Sequence, residues 1–166
     1  MRKGVLEDVF TLLKIAGSHM TKREKICALV YDEMSVQTTS EYDKRNDEIV
    51  GPHTEMQVVI ARGLFTQWKQ PIFVNFDVQV TKNLLDDLIT RLYDIGFTVM
   101  ANVHDCGAGN RGVWRDCGVN HESKQTTMKH PCTGKDIFFF PDAPHLYKLF
   151  RNWLLDHGFQ YKGNFL

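Results

Sequence analysis

The stretch ICALVYDEM, residues 26–34, is apolar at nearly every position as far as Tyr31 and then runs into Asp32 and Glu33. A strand with one wet face alternates apolar and polar residues, whereas a continuous apolar run needs cover on both faces. Residues 26–31 therefore predict a central strand in a sandwiched sheet. Strand geometry sends Ala28, Val30 and Asp32 to one face and Leu29, Tyr31 and Glu33 to the other. A carboxylate at the end of such a strand costs free energy unless something compensates it.

The rest of the chain supplies partners for that strand. Residues 4–16 predict a helix with Val5, Val9, Leu12, Leu13 and Ala16 on one face, stopped by Gly17. Residues 39–50 are polar with turn chemistry inside and fit an exposed strand or hairpin. MQVVIARGLF, residues 56–65, is a strand, and PIFVNF, residues 71–76, is either a further strand or its continuation. Residues 81–95 form a helix with Leu84, Leu85, Leu88, Ile89 and Leu92 as its stripe, Thr81 at the start and Gly96 at the end. FTVMANV, residues 97–103, is a strand that leads into His104 and Asp105, and GAGNRGVWRDCG then gives a turn and a short helix. Residues 118–135 read as a loop and residues 137–140 as a short buried strand. A last helix follows Asp142 with the stripe Leu146, Leu149, Phe150, Trp153 and Leu154, ended by Gly158. Consecutive early strands imply antiparallel pairing, and the later strand–helix–strand units imply parallel pairing. The expectation is an α/β fold: a mixed sheet with helices on both faces.

With 166 residues the chain can bury one substantial core, and it reads as one domain: a leading helix in 1–20, a sheet core in 26–140 and a last helix in 143–157. Twenty basic and twenty acidic side chains cancel, so bulk charge gives nucleic-acid binding no support and leaves only a local patch. Cysteines 27, 106, 117 and 132 follow no secreted disulfide spacing, and no signal peptide opens the chain, so a reducing compartment is expected. No apolar run approaches the length of a membrane span.

Asp32 ends one strand and Asp105 follows another. Ligands of open α/β sheets sit beyond the carboxyl ends of strands, so if these strands are parallel neighbours the two acids meet at one edge. Paired carboxylates need a shared proton or a cation, and a hard divalent ion suits oxygen ligands. Two such ions clamp the attacking and leaving oxygens of a phosphoryl transfer. The bland alternative has Asp105 capping the following turn and Asp32 lying just outside the core.

The blocks CALVYDEM, YDKRNDEIVG, MQVVIARGLFTQWKQPI, VHDCGAGNRGVW and FFFPDAPHLYKLFRN, in this order and spacing, resemble the P-element transposase family over roughly residues 5–160. The resemblance implies a ribonuclease-H-like fold. It implies that Asp32 and Asp105 are the first two catalytic acids and metal ligands. With a later Glu they hold two Mg²⁺ (or Mn²⁺) ions for DNA strand cleavage and strand transfer. It also implies transposon-end and target DNA as partners, oligomers of a longer protein, and action in the nucleus, although no basic import signal stands out. The family's third acid follows a GTP-binding insertion that nothing here matches, and its zinc-finger and dimerisation segments are also unmatched. The chain is thus expected to be the first part of a catalytic core: a fragment, a split product or a decayed copy. Catalysis and a non-catalytic binding module both remain open.

Other candidates compete. Asp142 is either an N-cap or, with Lys148, the family's guanine-nucleotide contact, a role that the missing insertion weakens. Glu33 faces away from Asp32 and reads as structural. His104 could orient a metal-bound water or serve as a hydrogen-bond partner. Cys117, His121, His130 and Cys132 offer zinc ligand types without a tight knuckle. Cys27 and Cys106 read as buried thiols. Trp68 and Lys69 could present a DNA-facing edge, or Trp68 could close the end of the sheet.

Overall fold

The computed structural model describes residues 3–165 except Arg45, Cys106, His121, Lys162 and Gly163. Its elements are β1 (Gly4–Val5), α1 (Glu7–Gly17), β2 (Ile26–Ser35), β3 (Glu41–Asp43), β4 (Glu48–Val50), β5 (Glu55–Gly63), β6 (Lys69–Phe76), α2 (Lys82–Asp94), β7 (Thr98–His104), α3 (Ala108–Asp116), β8 (Thr127–Lys129), β9 (Asp136–Pro141), α4 (Ala143–His157), β10 (Gln160–Tyr161) and β11 (Asn164–Phe165). Seven strands form one sheet in the order β1-β6-β5-β2-β7-β9-β8. β2 lies in the middle, as its unbroken apolar run requires. It pairs antiparallel with β5 and parallel with β7, and β7 pairs parallel with β9. This is the mixed sheet of a ribonuclease-H-like fold.

The main core covers the face carrying Cys27, Leu29 and Tyr31. Phe10 and Leu13 of α1, Leu85, Leu88, Ile89 and Leu92 of α2, and Val113 of α3 with Cys117 pack there in one cluster. Burying each such aliphatic side chain contributes about 1.5–3 kcal/mol. Thr81 caps α2, its hydroxyl accepting from the Leu84 amide at 3.3 Å, and Gly96 leaves the helix at φ 89°, where a side chain would strain.

Several elements depart from the sequence expectation. Gly4 and Val5 are an edge strand against β6, not the start of the helix. α1 buries Phe10, Leu13 and Gly17, while Leu12 stands 63% exposed, so its inward face is rotated from the expected stripe. The close approach of Gly17 to the Phe97 ring sets that rotation: a Cβ on Gly17 would lie 2.9 Å from Phe97 Cε2. Residues 71–76 belong to a separate strand, β6, which makes a hairpin with β5. The segment expected to be loop contains β8, paired with β9. β9 buries Ile137 and Phe139, but Phe138 and Phe140 are exposed. No residue of α4 is buried, and Leu146, Leu149, Phe150 and Trp153 of its apolar stripe are all exposed. Among the described residues, no helix is long and apolar enough to cross a membrane.

The hairpin β3–β4 stands off the main sheet, and Asp77 fastens the chain at its foot. The Asp77 carboxylate accepts from the Thr54 amide and hydroxyl and the Glu55 amide, at 3.0, 2.9 and 3.1 Å, and pairs with His53 Nδ1 at 2.7 Å. The Thr54 amide, then the His53 pair and the Glu55 amide, hold its carboxyl well below the usual carboxylate range.

Two predictions follow from packing and charge. Gly17→Ala should lower stability by about 1–3 kcal/mol through overpacking on Phe97. Gly112→Ala, whose added Cβ meets nothing within 4 Å, should raise it by about 0.5–1 kcal/mol; urea melts that order the pair the other way overturn the packing account. Asp77 has a depressed folded-state pKa, so its contribution is complete above the unfolded value near 3.8 and is lost as pH falls towards the folded value. The difference in melting temperature between the natural chain and Asp77→Asn should therefore be largest near neutral pH and shrink below about pH 4.

Candidate metal centre

The parallel pair β2 and β7 brings two acids to one edge. The register begins Ile26↔Thr98 and Cys27↔Val99, then shifts so that Ala28 meets Ala101 and Tyr31 meets His104. Continued by one residue, it sets Asp105 beside Asp32, on the face of Ala28 and Val30. The shift makes Met100 an extra residue in β7. Without it His104, not Asp105, would come level with Asp32, because a one-residue slip turns every following side chain to the other face.

Pairing with β7 ends at Tyr31, whereas pairing with β5 continues to Ser35↔Glu55. Asp32 thus stands where the sheet narrows, with one flank open to the turn after β7, and it is exposed while Asp105 is half-buried. The backbone around Asp32 is fixed from β5: buried Gln57 donates through Nε2 to the Asp32 carbonyl at 2.9 Å. The Asp32 carboxylate accepts from the Glu33 amide at 2.9 Å. Asp105 Oδ1 accepts from the Gly107 amide at 3.0 Å, and a Cβ on Gly107 would stand 3.0 Å from that same oxygen, so glycine permits the approach. Partial burial first, then the charges of Glu55, Asp105 and Asp32, raise the Glu33 carboxyl above its ordinary range. The edge is therefore a concentration of negative charge that a hard cation would relieve. Asp32 and Asp105 fit as two oxygen ligands of such an ion. Among the described residues, no group of three or more His, Cys, Asp or Glu side chains is placed to hold a metal.

His104 takes no place beside the acids. It is 2% exposed and points into the core, stacked on Tyr31 with ring centroids 4.7 Å apart. Its Nδ1 donates to the Asp105 carbonyl at 2.7 Å, and its Nε2 accepts from Trp114 Nε1, which fixes the tautomer. Burial holds its pKa below the ordinary value, against the opposing pull of the Asp105 hydrogen bond and charge. Tyr31 and His104, each immediately before one of the acids, thus form a stack beneath the pair, tied to α3 through Trp114.

Trp68 and Lys69 lie at the far end of the sheet, where Lys69 is level with Arg62 and Arg62 with Ala28. The Trp68 indole donates to the Glu24 carbonyl at 3.0 Å and meets Phe97 edge-on, closing that end of the sheet. Asp142 occupies the N-cap position of α4 without a side-chain cap bond, so its expected capping bond is absent; its amide donates to the His104 carbonyl at 2.8 Å. Lys148 is exposed on α4. Of the zinc candidates, His121 lies outside the described residues. His130 Nδ1 accepts from the Cys132 amide, and both residues meet α2 near Thr90 and Tyr93. Cys117 lies buried among the charges of Lys82 and Asp86, nearer the start of that helix, and burial pushes its thiol up to about 11. Cys27 is fully buried and pushed up to about 12, and Cys106 lies outside the described residues.

The arrangement defines a ribonuclease-H-like sheet with two acids at the carboxyl ends of adjacent parallel strands. Comparison with known proteins agrees. The family model described as TNP-like, RNase H N-terminal domain matches residues 1–118. The Transposable element P transposase of Drosophila melanogaster is 37% identical over 164 residues, which is 98% of this chain and 21% of that protein. The solved Drosophila P element transposase strand transfer complex superposes with a TM-score of 0.91 at 36% identity, covering 100% of this chain and 37% of the matched one. The chain belongs to the P-element transposase family, and it spans about a fifth of the length of the curated relative it matches.

The Trp114–His104 bond can be measured. A double-mutant cycle with Trp114→Phe and His104→Phe should give a coupling of about 0.5–3 kcal/mol in urea unfolding. A coupling of zero would mean that the bond adds nothing to the stack under the acids.

Proposed function

We propose that this chain supplies the two-aspartate part of a metal-dependent centre for cleaving and joining DNA strands, as in the P-element transposases. The observation that supports the reading is the β2–β7 register, which pairs Tyr31 with His104 and, continued by one residue, brings Asp105 level with Asp32. Both carboxylates would ligate Mg²⁺ or Mn²⁺, with Gly107 orienting Asp105 through its amide. A divalent ion, when bound there, neutralises charge on a phosphoryl group and makes a water or a 3′ hydroxyl a better nucleophile. The buried Tyr31–His104 stack and the Gln57 bond keep the two acids from spreading. A complete site would need a further acid beyond these two. The solved relative is a strand transfer complex, which supports DNA as the partner, and the nucleus would be the setting. Lys148 is exposed on α4, so a guanine nucleotide there would need residues in addition to it and Asp142.

A second reading, a non-catalytic binding module that keeps the fold, is favoured by the lack of a third metal-capable side chain at the pair among the described residues. Titration calorimetry with Mn²⁺ separates the two. Metal-site reading: the natural chain binds, and Asp32→Asn and Asp105→Asn each weaken binding at least tenfold with unchanged circular dichroism. If the natural chain ignores Mn²⁺, or both variants bind as well as it does, the binding-module reading stands instead.

A further inference from the structure

The acids share their face and their edge of the sheet with a pocket two strands away. Asp32 is level with Val58, and Val58 with Val74; one step further out, Met34 is level with Met56, and Met56 with Phe76. All of these side chains lie on one face, because each row is two residues from the other. Strand spacing and rise put Phe76 about 12 Å from Asp32. At Phe76 the hairpin β3–β4 stands over the sheet and encloses a space of about 550 Å³, within the usual range of ligand pockets. Lys3, Tyr42, Lys44, His53 and Phe76 line it, with Glu41 and Asp43 on the hairpin side.

These side chains are held in place. His53 Nδ1 donates to Asp77, its ring stacks on Phe76 at 4.5 Å, and its Nε2 accepts from the Lys3 ammonium at 3.4 Å. The Tyr42 hydroxyl is tied to Asp47, so the half-exposed ring is presented to the pocket. We propose that this pocket is a subsite for one nucleotide of a single DNA strand whose phosphate, a few nucleotides away, lies at Asp32 and Asp105; this rests on the metal-site reading above. The mixed lining suits a nucleotide better than a bare anion. Lys3, oriented by His53, and Lys44 meet the phosphate, Tyr42 stacks on the base, and Glu41 or Asp43 accepts from a base amine. Met34, Met56, Val58 and Val74 form the apolar floor between pocket and acids.

The test is fluorescence anisotropy of the 166-residue chain with a short labelled oligodeoxycytidine, alongside the Mn²⁺ titration. Tyr42→Ala should weaken binding about tenfold without lowering the melting temperature, since the ring is exposed. Lys3→Gln should reduce the slope of log affinity against log salt by about 0.7. No binding by the natural chain, or equal binding by both variants, overturns the subsite. If these variants lose DNA while Mn²⁺ binding is absent, the subsite stands and the metal reading falls. If Mn²⁺ binding depends on Asp32 and Asp105 while Tyr42 and Lys3 are indifferent, the metal reading stands and the subsite falls.

Discussion

Pairing between β2 and β7 is the contact on which the rest of the structure depends. It joins the antiparallel half of the sheet, β1, β6 and β5, to the parallel half that carries β9, and it runs through the most deeply buried part of the molecule. Cys27 and Leu29 of β2 lie under α1 and α2, so the strand that ends in Asp32 cannot shift without disturbing the whole cluster. The rigidity lies on one face and the acids on the other. Core packing therefore sets their position while leaving Asp32 exposed and Asp105 only half-buried, which keeps two carboxylates tolerable in a fold of ordinary composition.

Some of this was legible in residues 26–34. An unbroken apolar run followed by acids allowed few places other than the centre of a covered sheet, and the strand–helix–strand pattern around residues 81–103 gave the parallel neighbour. The leucine stripe of α2 was equally plain, because four of its five expected residues are fully buried. The pairing of Asp32 with Asp105 was a conditional inference, since adjacency of the strands is a tertiary property. The extra residue at Met100 left no trace in composition or periodicity, yet it decides which side chain faces which way.

Other elements misled for physical reasons. α1 offers apolar residues around much of its circumference, so periodicity alone could not select the face that Gly17 and Phe97 select. The stripe of α4 is a strong helical signal, but amphipathicity announces only that a face wants cover. Phe138 and Phe140 of β9 and Leu146, Leu149, Phe150 and Trp153 of α4 all remain exposed. Glycine after Asp105 was visible as turn chemistry; its tight approach to the carboxylate was not. His53 and Asp77, distant in sequence and ordinary in type, gave no signal until β5 and β6 were folded together.

The bulge at Met100 makes tolerance to change uneven in kind. A substitution at a surface position of β7 alters one side chain and leaves the register alone. Loss of a single codon between Ala101 and His104, beyond the bulge, would be a different event: every residue after it would turn over, and Asp105 would come level with Tyr31 and face the apolar side instead of standing beside Asp32. Lineages of such chains should therefore drift freely in letters along this strand while keeping its length.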